Sequence, residues 1–189
     1  YNHFGVDLKA TLRAFITNIN NMGTGKRLIG ASTITQQVAK NFLLSSELSY
    51  KRKIKEAILA IRIERAFSKN EILELYLNEI YLGFKSYGVA AAALNYFDKS
   101  LDNLDLSEAA FLAALPKAPN NYNPIYKNKQ AIMRRNWVLS QMNKNGFIDD
   151  NMKEIESKKS INIRKSSGID EGYAPYFTEE VRKILIKNK

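Results

Sequence analysis

The chain has no cysteine and a single histidine, His3. The first absence excludes disulfides, thiol catalysis and cysteine zinc sites. The second excludes a histidine-rich metal centre. No apolar run reaches the roughly 18 residues that span a bilayer, and no leader with a basic start and an apolar middle is present. The chain opens at Tyr1 without a methionine, so a fragment is expected, with room for an anchor upstream. Repeats and low-complexity tracts are missing. Strand signals are scarce, and Ile161-Asn162-Ile163 is the best of them.

What remains is ample for a globular domain. The 189 residues are 45% apolar and 11% aromatic, enough for one domain with a core and too apolar for disorder. The formal net charge of +10 predicts attraction to nucleic acid, anionic membrane or a phosphorylated substrate, and does not choose among them.

Helical periodicity runs almost throughout, so the predicted fold class is all-α. Helices are expected over Leu8–Asn20, Thr33–Leu44, Lys51–Phe67, Lys69–Leu82, Tyr87–Phe97, Leu106–Leu115 and Lys127–Asn145, with shorter ones from Asp149 and Thr178. Ser32 is an N-cap candidate for the second. Ser68 with Glu71 has capping-box spacing, and Gly83 suits a helix stop. Pro116 to Pro124 reads as an extended, turn-rich loop, and Ser157 to Gly168 as a loop or a short hairpin.

Three segments carry chemistry. On Thr33–Leu44, the side chains of Thr33, Gln36, Gln37 and Lys40 share one helical face, with Ile34, Val38 and Phe42 on another. Amides donate to and accept from sugar hydroxyls. Lys40 offers a point charge to phosphate, and the helix start after Gly30 attracts anions. A plain solvated face has the same pattern. The next segment, Lys51, Arg52, Lys53, Lys55 and Glu56, leads into a run that is apolar from Ala57 to Ile63 except for Arg62. Such a helix is ordinarily buried all round, so Glu56 lies where a basic mouth meets a core. The plain alternative is an i,i+4 pair of Glu56 with Arg52, worth about 0.2–0.5 kcal/mol. On Lys69–Leu82, the stripe Glu71, Glu74 and Asn78 is the wet edge of a core helix, and Glu74 and Asn78 are placed to brace the basic mouth.

These segments resemble the motifs of the peptidoglycan glycosyltransferase domain (glycosyltransferase family 51) of class A penicillin-binding proteins, over almost the whole chain. The family's second motif is similar to Gly30-Ala31-Ser32-Thr33-Ile34-Thr35-Gln36-Gln37, continued by Lys40 and Asn41. Its third, arginine-lysine-two residues-glutamate, resembles Arg52 to Glu56. The fourth is like Lys69 to Asn78, through Gly83. The fifth looks like Ala113 to Pro119, through Asn123-Pro124. Of the first motif only the tail is similar: Tyr1, His3, Gly5 and Asp7, then Arg13-Ala14. The motif's glutamate, the family's general base, is expected a few residues before Tyr1. Leu48 stands where many members carry a phosphate-binding arginine. Tyr173-Ala174-Pro175-Tyr176-Phe177 resembles the approach to a transpeptidase domain.

The resemblance implies a lysozyme-like fold, a head lobe with a smaller membrane-facing jaw, and residues 1–189 as one glycosyltransferase domain truncated at its N-terminus. Residues from 170 would begin a linker to a fused transpeptidase. It implies polymerisation of lipid II onto a growing glycan chain, with inversion and release of undecaprenyl pyrophosphate, at the outer (periplasmic) face of the cytoplasmic membrane. Glu56 is then the catalytic donor-site carboxylate. Ser32, Thr33, Gln36, Gln37, Lys40, Arg52, Lys53 and Lys55 are substrate-binding, with Lys40 and Lys55 favoured for direct contact and Arg52 as a holder of Glu56. No metal ligands and no required cofactor are expected, although Mg or Mn would assist at the pyrophosphate. The membrane surface is a partner, and nucleic acid is not.

Two other classes remain open at this point. A lysozyme-like hydrolase needs a placed water and usually two carboxylates at a defined separation, and has no use for a row of cations. A non-enzymatic binder or scaffold is compatible with the charge, but no aromatic stacking platform or nucleic-acid motif accompanies it.

Overall fold

A computed structural model describes residues 3–26, 28–43 and 49–163. Eight α-helices follow one another among these residues: α1 (Leu8–Asn20), α2 (Ile34–Leu43), α3 (Tyr50–Ala66), α4 (Lys69–Glu79), α5 (Val89–Phe97), α6 (Leu106–Ala114), α7 (Asn128–Lys144) and α8 (Asp150–Lys158). The expected all-α class is the class found. The described residues contain no strand, only an isolated antiparallel bridge between Tyr81 and Tyr87. Ile161-Asn162-Ile163 is irregular backbone, and Ile161 is buried as a single apolar anchor. Leu48, Tyr173–Phe177 and the helix expected from Thr178 lie outside the described residues.

Local chemistry accounts for the helix ends. Asp7 accepts a hydrogen bond from the Ala10 N–H at 2.8 Å and starts α1. Ser49 caps α3 through the Arg52 N–H at 3.1 Å. The Ser68–Glu71 capping box forms as expected. At α2 the cap moves by one residue from the expected Ser32. Thr33 Oγ1 accepts from the Gln36 N–H at 3.1 Å, while Gln36 Oε1 accepts from the Thr33 N–H at 3.0 Å. That reciprocal pair satisfies two of the donors a helix start leaves open.

Helix α4 also ends earlier than expected. Ile80 leaves the helix with ψ 131°, and the chain enters a tight turn in which the Ser86 N–H donates to the Gly83 carbonyl at 2.8 Å. Phe84 and Lys85 both have positive φ, 50° and 55°, the hallmark of the type I′ turn that joins paired strands. Gly83 therefore opens a turn and does not stop the helix.

Contacts divide the chain into two compact units that part between Ile80 and Tyr81. In the first, α2 packs against α3 and α4 around a core of Val38, Ile72 and Tyr76. Helix α3 is not buried all round as expected: Ile54 (62% exposed) and Ile58 (48% exposed) face solvent, and only one side, through Ala60, goes inside. Helix α1 buries just Ala14 and presents Leu8, Leu12, Phe15, Ile16 and Ile19 outward. Beside it, the Asn18 amide grips Ile29, accepting from its N–H at 2.8 Å and donating to its carbonyl at 3.0 Å.

In the second unit α6 packs on α7, and α7 on α8. Tyr96 and Phe97 meet Phe111 edge-on, with ring centres 5.4 and 5.9 Å away. The Tyr96 hydroxyl donates to the Leu82 carbonyl at 3.0 Å, and burial, aided by nearby Tyr81, pushes its pKa up to about 12. Arg135 is fully buried on α7. It donates to Ser107 Oγ at 2.8 Å, the Lys159 carbonyl at 2.7 Å, the Ser157 carbonyl at 2.9 Å and Asn136 Oδ1 at 2.9 Å, which ties the end of α8 to α6 and α7.

Candidate active site

The proposed site residues from Ser32 to Asn78 all belong to the first unit. Glu56 faces inward from the second turn of α3 and is only 2% exposed. A buried carboxylate needs a cation or hydrogen-bond donors to stay charged, and its partner is Lys53, one turn earlier, in direct ion-pair contact. The same ammonium donates to Ser32 Oγ at 2.8 Å. Lys53 thus links the end of the Gly30–Ser32 loop to the one carboxylate in the motif, and Ser32, Lys53 and Glu56 form a continuous hydrogen-bonded chain.

This arrangement corrects the expectation that Arg52 holds Glu56. Arg52 makes no ion pair with it, and the Arg52 Nε is buried without a hydrogen-bond partner among the described residues. Helical spacing admits both i,i+3 and i,i+4 pairs, and here the i,i+3 residue, Lys53, makes the contact.

The remaining residues divide by exposure. Thr33 and Gln36 are buried and bonded to each other at the helix start, so their polar atoms serve the fold first. The Thr33 hydroxyl also donates to the Gly5 carbonyl at 2.6 Å. Gln37 is half-buried, while Lys40 and Lys55 are exposed and make no hydrogen bond or ion pair among the described residues. The expected two faces of α2 are accordingly rotated. Val38 is buried as expected, but Ile34 is 40% exposed, and Thr33, Thr35 and Gln36 point inward. The side chain of Phe42 lies outside the described residues. Glu74 and Asn78 are exposed on α4, and neither hydrogen-bonds a cation of α2 or α3.

One buried carboxylate escaped the sequence reading. Glu64, two turns beyond Glu56 on α3, accepts from Thr35 Oγ1 at 2.6 Å and from Lys69 Nζ at 2.6 Å. Lys69 also donates to the His3 carbonyl at 2.8 Å. Burial pushes the Glu64 carboxyl up, but the hydrogen bonds from Lys69 and Thr35 and the charges of Lys69 and His3 outweigh it and hold the group below its ordinary value. Its signal was present in the spacing of Glu56 and Glu64, two turns apart on one side of α3.

Among the described residues no group of three or more His, Cys, Asp or Glu side chains could hold a metal ion. A cavity of about 210 Å³ lies in the second unit, lined in part by Asp105, Phe111, Lys159 and Asn162, and no proposed site residue borders it.

The structure thus brings Ser32, Lys53 and Glu56 together, and comparison with known proteins gives the class. The transglycosylase family model matches residues 1–143. The chain therefore belongs to the transglycosylase family and is a glycosyltransferase domain. It is 48% identical over 187 residues to penicillin-binding protein 1A of Rickettsia bellii, an alignment that covers 99% of this chain and 24% of that protein. Its identity to penicillin-binding protein 1A of Aquifex aeolicus is 48% over 185 residues, 98% of this chain and 25% of the other. The chain thus spans about a quarter of the length of the curated relatives it matches. A crystal structure of penicillin-binding protein 1A from Haemophilus influenzae is 38% identical, covers 82% of this chain and 19% of that one, and superposes with a TM-score of 0.49.

Proposed function

We propose that this domain polymerises peptidoglycan from lipid II. The observation that carries the reading is the Ser32–Lys53–Glu56 chain: a carboxylate kept charged inside the protein by a lysine whose other contact is a hydroxyl at the mouth of α2. Lys40 and Lys55, exposed and without protein partners among the described residues, supply the free positive charge that a departing diphosphate needs.

In this reading the 4-hydroxyl of an acceptor sugar loses its proton to a glutamate that precedes the Tyr1–Asp7 stretch. The oxygen then attacks C1 of the growing chain with inversion. The C1–oxygen bond to undecaprenyl pyrophosphate breaks, and negative charge collects on the leaving group. Preorganised cations stabilise developing charge of this kind more than they stabilise the ground state. Lys40 and Lys55 contact the diphosphate. Lys53, fixed between Ser32 and Glu56, holds the donor end in register, and Arg52 adds positive charge beside it. Ser32 and Gln37 offer hydrogen bonds to sugar or phosphate, while Thr33 and Gln36 keep the rim of α2 in shape.

The residues present do not fit a protein-held divalent cation. No carboxylate cluster converges among the described residues, and Glu56 is already paired with Lys53. No step here is routed through a metal.

The apolar stripe of α1, with Leu8 77% exposed, and Met22 (75% exposed) just beyond the helix end suit the interface of an anionic bilayer, where apolar side chains insert and lysines meet headgroups. No helix among the described residues is long and apolar enough to cross a membrane, so membrane attachment of the domain itself is peripheral in this reading. The length of the relatives makes room for a fused transpeptidase.

Glu56→Gln in the intact protein tests the proposal. Turnover of lipid II is expected to fall by about a hundredfold or more, since the amide keeps the shape but cannot hold Lys53 as an ion pair. Undecaprenyl pyrophosphate is the expected lipid product of the unsubstituted protein. Soluble fragments cut from finished glycan would instead mark a hydrolase, absence of turnover in the unsubstituted protein would mark a scaffold, and unchanged turnover in Glu56→Gln would remove Glu56 from the machinery.

A further inference from the structure

The stretch His3–Gly5 is clamped from three directions. The Gly5 carbonyl takes the Thr33 hydroxyl at 2.6 Å. The His3 carbonyl takes the Lys69 ammonium at 2.8 Å. Gly5 itself lies flat on α3: its φ is +85°, and a Cβ there would stand 2.5 Å from the Ala60 carbonyl oxygen. Of these contacts, only the one through Lys69 uses a charged side chain, and that side chain is aimed by Glu64 at 2.6 Å. The same carboxylate takes Thr35 of α2. One buried group, with its side chain 7% exposed, therefore fixes the first turn of α2, the first residue of α4 and, through Lys69, the chain at His3.

This clamp adjoins the proposed site. Thr33, which grips Gly5, is the residue after Ser32, and Ser32 receives the Lys53 ammonium. The strap and the Lys53–Glu56 pair thus meet at the start of α2.

We propose that Glu64 and Lys69 are positioning residues for glycosyl transfer: the pair holds the His3–Gly5 strap in register with the start of α2, where Ser32 meets Lys53. The inference rests on the glycosyltransferase reading above, in which the base precedes this stretch. Neither residue touches substrate. Their effect is exerted through the strap, and misplacement of a reacting group by as little as about 1 Å costs on the order of a hundredfold in rate.

The buried pair also has a structural share, so the test must separate the two. In the intact protein, kcat and KM for lipid II are measured together with amide hydrogen exchange at residues 3–5 for Glu64→Gln, Lys69→Met and Lys69→Arg. Glu64→Gln and Lys69→Met are expected to lower kcat about tenfold or more with KM within about twofold, as loss of an interaction felt only in the transition state does. Exchange at residues 3–5 should accelerate in both. Lys69→Arg still donates to both Glu64 and the His3 carbonyl, and is expected to keep kcat within about threefold of the unsubstituted protein. Lys69→Arg behaving no better than Lys69→Met overturns the proposal. So does a strap loosened by exchange with kcat unchanged, or a rise confined to KM. If Glu64→Gln does not fold, the two Lys69 variants decide by the same criteria. An unsubstituted protein that makes no glycan overturns the functional reading, and faster exchange on substitution then still establishes the strap, while unchanged exchange removes it.

Discussion

The two units solve the problem of a small core differently. The first buries few large side chains, Ile72 and Tyr76 chief among them, and places Thr33, Thr35, Gln36 and Glu56 inside beside them. The second buries Leu82, Tyr96, Phe97, Phe111, Leu115 and Leu139, and gathers much of its buried polarity on one guanidinium, Arg135. Burial of a large apolar side chain contributes about 1.5–3 kcal/mol, so the second unit gains its stability from volume. The first relies on hydrogen bonds that fix directions. Direction is what a site needs, since side chains there must be held to within a fraction of an ångström. The polar groups of Arg135 are absorbed by protein acceptors, whereas Lys40 and Lys55 have none among the described residues.

The largest effect should come from the tightest contact in the first unit. Gly5→Ala places a methyl group against backbone that cannot move aside, at a φ that disfavours any side chain. A loss of about 4 kcal/mol or more is expected, read as the drop in the urea midpoint of the helical signal. A loss under about 1 kcal/mol would mean that the strap is not seated on α3 and would weaken the contrast drawn here. In the second unit, Arg135→Met tests whether the guanidinium is a hub or a passenger. Burial pulls its pKa down while Asp105 and Glu156 push it up. Substitution leaves Ser107 Oγ and the Lys159 carbonyl short of a donor, while the Ser157 carbonyl keeps the Asn136 amide. Each orphaned buried group costs about 1–3 kcal/mol, part of which the apolar methionine regains by packing, so a net loss of about 3 kcal/mol is expected. Arg135→Lys should recover little, because an ammonium cannot reach divergent acceptors as a planar fork does.

Acid should separate the units next. The Glu64 carboxyl lies below its ordinary value of 4.5 in the folded protein. A depressed acid adds stability above its unfolded pKa, and that stability is lost as pH falls from there through the folded value. The melting temperature should therefore decline below about pH 4.5, and Glu64→Gln should flatten the part of the decline that belongs to the first unit. Asp105 is lowered too, against its burial, by the Glu108 N–H and by Lys159. Asp105→Asn should flatten the second unit's share. An acid profile that Glu64→Gln leaves unaltered would take the Glu64 carboxylate out of the first unit's framework.

These outcomes bear on what the sequence could and could not reveal. Features set by neighbours in the chain were legible. The expected bounds of α1, Leu8–Asn20, are the bounds found, and the Ser68–Glu71 box is read from spacing alone. Glu56 as the buried end of a basic run was legible as well, because charge gives way to an apolar stripe there. Features set by distant residues were not. Periodicity marks Ile54 and Ile58 as one stripe of α3 but is silent on whether anything covers them. Glu64 acquires its importance from Thr35 and His3, which are remote in sequence. The choice of Lys53 over Arg52 as the partner of Glu56 turns on side-chain conformation, because the helix offers both spacings. The cap of α2, expected at Ser32 and found at Thr33, was misplaced for the opposite reason. Its hydrogen bonds are local, but two hydroxyl residues in succession offered two possible caps.

The smallest effect sharpens the comparison in the second unit's favour. The turn after α4 holds Phe84 and Lys85 at φ 50° and 55°, a region where residues other than glycine, asparagine and aspartate are uncommon. Phe84 repays the strain, because its ring packs on Tyr96 with centroids 5.5 Å apart. Lys85 is exposed and makes no hydrogen bond or ion pair among the described residues. Lys85→Gly should therefore relieve left-handed strain without removing a contact. Glycine also widens the unfolded ensemble, which offsets part of the gain. A net stabilisation of about 0.5–1 kcal/mol is expected from the urea midpoint. Phe84→Gly should go the other way, since it relieves the same strain but strips an aromatic from the Tyr96 cluster, and a buried ring contributes more than the backbone recovers. If Phe84→Gly stabilised as much as Lys85→Gly, the aromatic volume credited to the second unit would not be what holds this turn in place.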